Sequence, residues 1–189
     1  MGGPEGVALR QVVDPYSYRA KLTQPKMLFL GTNDAFWTLD SLNLYWDGLV
    51  GDKYVVYVPN ADHDLATDWR RVMGGLRALH RHAHGIETLP PIRWTYAAVP
   101  PEAPATLEVD AARAGATAVL WTAEAPTRDF RKAKWTSAPL VTSDANTTVA
   151  RVDPPASGYR AMFVEVVYGD GLMPLHLSTT IKVLQAVKR

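Results

Sequence analysis

The sequence predicts an α/β unit over residues 1–87 followed by an all-β sandwich over residues 88–189. Three observations predict it. Two short apolar runs flank a stretch with helical spacing, and a second helical stretch follows them. After Thr88-Leu89-Pro90-Pro91 the rhythm changes to short β-branched and aromatic runs separated by Pro, Gly, Asp and Asn. No internal repeat or low-complexity stretch interrupts either half.

The first run, Lys26-Met27-Leu28-Phe29-Leu30, follows Pro25 and ends at Gly31. It is apolar on both faces, as an interior parallel strand requires. Leu39, Leu42, Tyr45, Trp46 and Leu49 then recur at helical spacing and predict a helix stopped by Gly51. Residues 53–58 (Lys-Tyr-Val-Val-Tyr-Val) repeat the strand pattern and stop at Pro59-Asn60. A second helix is expected from Thr67 as N-cap, with Trp69, Val72, Met73, Leu76, Leu79 and Ala83 as its buried face and Gly85 as its end. Strand, helix, strand, helix is the order of an α/β sheet. Strands are expected beyond it at residues 93–99, 105–109, 117–123, 147–152, 159–168 and 178–183, with a weaker one at 135–141. That many short strands with frequent turn residues predict a β-sandwich.

Composition narrows the function classes. The 189 residues suffice for one large or two small domains. A formal net charge of +1, with no Lys/Arg block, argues against nucleic acid as a partner. The absence of cysteine excludes disulfides, thiolate metal sites and a cysteine nucleophile. Residues 1–10 lack the apolar core of a signal peptide, and no apolar run approaches the roughly 20 residues of a membrane span. No cofactor is expected.

The chemistry is expected in the two loops that follow the strands. The first reads Gly31-Thr32-Asn33-Asp34-Ala35-Phe36-Trp37, the second Pro59-Asn60-Ala61-Asp62-His63-Asp64-Leu65. In open α/β sheets the reacting groups sit at the carboxyl ends of strands. An acid on one such loop and a histidine on the next, about 30 residues on, matches the last two members of the hydrolase order Ser…Asp…His. The carboxylate fixes the imidazole tautomer and stabilises the imidazolium that forms as a nucleophile loses its proton. Asp34, nearest its strand, is the expected acid and His63 the base. Asp62 and Asp64 are expected to shape the loop. Taken singly, such an Asp or His would be an ordinary turn residue; their order after two apolar strands favours the paired role.

The stretches Asp14-Pro15-Tyr16-Ser17-Tyr18-Arg19, Leu22-Thr23-Gln24-Pro25-Lys26, Gly31-Thr32-Asn33-Asp34 and Val58-Pro59-Asn60-Ala61-Asp62-His63 resemble the PhoPQ-activated pathogenicity-related family. So do Leu120-Trp121-Thr122-Ala123, Arg128-Asp129-Phe130-Arg131, Trp135 and Phe163-Val164-Glu165-Val166. The likeness runs from about residue 12 to the C-terminus. It implies a secreted or envelope α/β-hydrolase, distantly similar to prolyl-oligopeptidase-type serine peptidases, acting on a small-molecule or peptide substrate. This chain would be the C-terminal part of that fold followed by an immunoglobulin-like β-sandwich, with Asp34 and His63 aligned with the acid and base. The resemblance also implies a longer protein whose serine lies upstream. No Gly-x-Ser-x-Gly elbow occurs here, and Ser17, Ser41, Ser137, Ser143, Ser157 and Ser178 lack its context. The chain alone is therefore expected to be inactive, since triad members act as a unit. A two-strand remnant of a parallel sheet would also leave an open edge. Either another polypeptide covers it, through self-association for example, or the remnant leans on the sandwich.

Other constellations carry less. His80 and His84 share a helical face, but only Glu87 is near as a third ligand, and the helix dipole accounts for cations there; no metal site is expected. Trp46, Trp69 and Trp121 are expected in the core, whereas Trp37 follows the Asp34 loop and is a candidate substrate contact. Arg128-Asp129-Phe130-Arg131 reads as a salt-bridged turn. The alternative to a hydrolase fragment is a non-catalytic binding module built on the sandwich; only the hydrolase reading requires Asp34 and His63 within hydrogen-bond reach.

Overall fold

The structure, a computed structural model, describes residues 3–111, 113, 115–141 and 146–187; Ser143 lies outside them. It is a mixed α/β protein with more sheet than helix. A helix α1 (Pro4–Val13) precedes strands β1 (Lys26–Gly31) and β2 (Lys53–Val58), then helix α2 (Trp69–Ala83). Eight strands follow: β3 (Arg93–Tyr96), β4 (Ala105–Asp110), β5 (Thr117–Ala125), β6 (Thr136–Leu140), β7 (Thr147–Val152), β8 (Tyr159–Tyr168), β9 (Leu175–Ser178) and β10 (Lys182–Gln185).

β1 and β2 pair in parallel, from Lys26 opposite Lys53 to Gly31 opposite Val58. β3, β4 and β7 form one antiparallel sheet; β10, β8, β5 and β6 form another, in which β9 also pairs with β8. β8 is the axis of the second sheet. It pairs with β5 along one edge and with β10 and then β9 along the other, and residues 161–166 are all buried. β4 and β7 alternate buried and more exposed positions, as strands wet on one side do.

The apolar run of β2 is buried on both faces. Tyr54 and Val56 enter a core shared with Leu107, Val109, Ala150 and Val164. Val55 and Tyr57 enter a second core with Ala123, Phe130, Trp135 and Phe163. β2 also leans on β9, where the Tyr57 N–H donates to Ser178 Oγ at 3.1 Å.

Some expectations need correction. No α-helix forms over residues 39–49; the segment holds a 3₁₀ turn, Ser41–Leu44, with Leu42 fully buried. Its Asp, Asn and Gly residues are weak helix formers. The Trp46 and Leu49 carbonyls accept from Lys53 Nζ, at 2.6 and 3.0 Å, and the Trp46 carbonyl also accepts from the Leu49 N–H at 3.2 Å, a tight turn and not an α-helical bond. The cap of α2 is Asp68, whose side chain accepts from the Arg71 N–H; Thr67 lies one residue earlier, in the 3₁₀ turn Ala66–Asp68 that leads into the helix. The buried residues of α2 are Arg71, Gly74 and Gly75, while Trp69, Met73 and Leu76 face outward. The strand expected at 178–183 is two strands, β9 and β10, joined through residues 179–181. The other strands start within one residue of where expected, although β3 stops short of residue 99.

Candidate active site

The parallel register fixes the site. Because Gly31 lies opposite Val58, the loops leaving β1 and β2 start side by side. Backbone bonds continue past the strands, from the Thr32 N–H to the Val58 carbonyl at 3.1 Å and from the Asn33 N–H to the Ala61 carbonyl at 2.9 Å. The loops lie so close that a Cβ at Gly31 would be 2.5 Å from the Asp62 carbonyl oxygen; only glycine allows that approach.

Asp34 and His63 meet. His63 Nδ1 lies 2.8 Å from Asp34 Oδ2. The Asp34 side chain is buried, at 7% exposure, and that of His63 is open, at 55%. The other carboxylate oxygen accepts from the Phe36 and Trp37 N–H groups at 2.7 and 3.2 Å. Burial raises the Asp34 pKa, but the His63 hydrogen bond and these two N–H groups outweigh it and hold the carboxyl below its ordinary range. An ionised carboxylate requires Nδ1 to carry the proton it accepts, so Nε2 is left as the basic nitrogen of the neutral ring. The Phe36 ring stands edge-on to the imidazole, 5.0 Å between centroids.

Asp62 and Asp64 shape the loop. Asp62 Oδ1 accepts from the His63 N–H at 2.7 Å and, across the gap, from the Ala35 N–H at 3.1 Å. Asp64 accepts from the Ala66 N–H. Trp37 is 61% exposed. It lines a cavity of about 420 Å³ together with Asp34, Phe36, Leu39, Arg128 and Arg131. Arg131 pairs with Asp129 as a local salt-bridged turn, and Arg128 pairs with Asp40. Trp46 and Trp121 pack against the core, whereas Trp69, expected there, is 56% exposed.

Sequence reasoning did not single out the residues behind the pair. Thr32 Oγ1 donates to Asn33 Oδ1 and accepts from the Asn60 N–H, both at 2.8 Å. The Asn33 amide donates to the Ala133 carbonyl at 2.7 Å and to those of Phe130 and Arg131 at 3.3 and 3.2 Å. Asn60 makes a reciprocal pair with the Trp135 backbone, at 3.1 and 2.8 Å. Both asparagines precede Asp34 and His63 in short polar loops, which was the available signal. Their partners lie 75 to 100 residues away.

The His80 and His84 rings are in contact, 4.5 Å between centroids. Among the described residues no group of three or more His, Asp or Glu is placed to hold a metal ion, and no helix is long and apolar enough to cross a membrane.

Fold and site thus define a mixed α/β protein that joins an acid and a histidine across adjacent strand-end loops of a parallel sheet. The chain belongs to the PhoPQ-activated pathogenicity-related protein family, whose sequence model matches residues 1–131. It is also 37% identical over 67 residues to Autocrine proliferation repressor protein A of Dictyostelium discoideum. That stretch covers 34% of this chain and 14% of the Dictyostelium protein, so the chain spans a small part of that relative's length.

Proposed function

We propose that this chain carries the acid and the general base of a serine hydrolase of the peptidase or esterase type, with the nucleophile contributed by residues outside these 189. The 2.8 Å contact between His63 Nδ1 and Asp34 Oδ2 carries the reading. It fixes the tautomer that leaves Nε2 free to take a hydroxyl proton and return it to a leaving group. A binding module built on the β half alone would have no need of this contact. Trp37, exposed at the cavity beside Asp34, is the proposed substrate contact.

The same proposal takes β1, β2 and α2 as the C-terminal part of an α/β-hydrolase fold and β3–β10 as an immunoglobulin-like sandwich, with the boundary near residue 88. The parallel register of β1 and β2 and the core shared by the two antiparallel sheets support it. Among the described residues β1 has β2 as its one strand partner, so its other edge is where the remaining sheet, or a second copy, would add.

A fluorophosphonate probe tests this. The 189-residue chain should not be labelled, and the longest native polypeptide containing it should be. In that polypeptide Asp34→Asn should lower turnover of activated esters or peptide anilides about 10⁴-fold, and His63→Ala at least as far. Full activity in both variants would overturn the assignment.

A further inference from the structure

We propose that Asn33 and Asn60 are positioning residues for the Asp34–His63 pair, and that they work by clamping both loops to the backbone of residues 130–135 in the β half. The inference rests on reading Asp34 and His63 as acid and base, and adds the two asparagines and the segment they grip to that site.

The pair is built across two loops, so its geometry depends on what holds each loop. Asn33 directly precedes Asp34, and any rotation of its backbone swings the carboxylate. Its side chain is tied at both ends: Nδ2 donates to the carbonyls of Phe130, Arg131 and Ala133, and Oδ1 accepts from Thr32 Oγ1. Asn60 opens the turn that carries His63, with a left-handed backbone (φ 58°) that asparagine tolerates better than most residues. Its amide pairs reciprocally with the Trp135 backbone, as a neighbouring strand would. The Thr32 hydroxyl joins the two clamps by accepting from the Asn60 N–H.

The segment they grip is itself fixed. Phe130 and Trp135 are buried in the core that contains Tyr57 and Phe163, and the Trp135 ring lies 5.4 Å from that of Phe163. The intervening carbonyls therefore present a rigid surface to the loops. Misplacing a reacting group by about 1 Å can cost on the order of 10²-fold in rate, so two open loops of this kind need such a support.

Nuclear magnetic resonance of the 189-residue protein tests the clamp without any need for turnover. Wild type should show a downfield His63 Nδ1 proton protected from exchange, and an Asp34 carboxyl that titrates below its ordinary 3.8. In Asn33→Ala and Asn60→Ala that proton should exchange about tenfold faster or more, and the Asp34 titration should move back up. Thr32→Val should do the same and Thr32→Ser should not. This pair decides if an alanine variant fails to fold, since valine keeps the threonine shape. Variants that stay folded with a lower Tm but wild-type exchange and titration would overturn the inference, leaving the amides as mere fasteners between the halves. Absence of the protected proton in wild type would instead overturn the Asp34–His63 pairing, and the inference with it.

Discussion

At the Asp34 carboxyl, burial opposes ionisation while the His63 hydrogen bond and the Phe36 and Trp37 N–H groups favour it, and the hydrogen bonds win. A folded pKa below the ordinary 3.8 means that the ionised group stabilises the fold at pH values above 3.8. That contribution is lost as pH falls through the folded value. Asp34→Asn should therefore be less stable than wild type near neutrality, with the difference closing below about pH 4. Urea unfolding at about pH 7 and about pH 3 checks this; a difference equal at both would mean that the carboxylate charge is not what stabilises the loop. Asp34 and His63 were legible in the sequence because their pairing follows from strand order and the residues just beyond each strand. Asn33 and Asn60 were not, because their partners are backbone carbonyls and an N–H in residues 130–135, and backbone groups carry no mark in a sequence.

Helix α2 shows how the same kind of reading can fail for a whole element. Its apolar residues recur at helical spacing, and that spacing located the helix but only part of its packed face: Leu79 reaches the core, whereas Trp69, Met73 and Leu76 are exposed. The inward side is set by Gly74 and Gly75, where the helix backbone meets the chain at Pro174 and the side chains of Met27 and Phe29. A Cβ at Gly74 would lie 2.3 Å from the Pro174 carbonyl oxygen, and backbone cannot step aside as the end of a side chain can. Gly74→Ala should thus destabilise by about 1–3 kcal/mol from overpacking, despite the gain of about 1 kcal/mol in helix propensity. Leu76→Lys on the outward side should change stability by no more than about 0.5 kcal/mol. Thermal or urea unfolding of the two variants decides which face packs; the opposite ranking would restore the apolar stripe as the buried one. β1 and β2 were read to within a residue for a related reason. A strand that packs against apolar residues on both faces, as β2 does fully and β1 in part, is a continuous apolar run, and no choice of face has to be made.

Across the whole molecule, the two halves are joined by charge as well as by apolar cores. Arg71, on the helix that follows the His63 loop, reaches Glu165 on β8, with Nε 2.8 Å from Oε1 and Nη2 3.2 Å from Oε2. Trp121 Nε1 donates to the same carboxylate at 3.0 Å, and His176 Nδ1 lies 2.9 Å from it. Arg71 also holds Asp68, the cap of its own helix, at 2.8 Å. Glu165 is buried, which raises its pKa, yet the His176 hydrogen bond, the Arg71 charge and the Trp121 hydrogen bond bring it below the ordinary carboxyl range. The sequence offered Glu165 as the one acid in a mostly apolar strand and Arg71 as one of several cations on a helix, with nothing to pair them over 94 residues. Removing one partner strands a buried charge, so Arg71→Met or Glu165→Leu alone should cost about 3–5 kcal/mol. Making both changes should restore much of that loss, because two apolar side chains can fill the space without an uncompensated charge. A urea-denaturation double-mutant cycle measures the coupling. Additive losses would mean that the two halves are held by their shared cores alone, while a strong coupling would make this ion pair the joint that sets α2 against the β sheets.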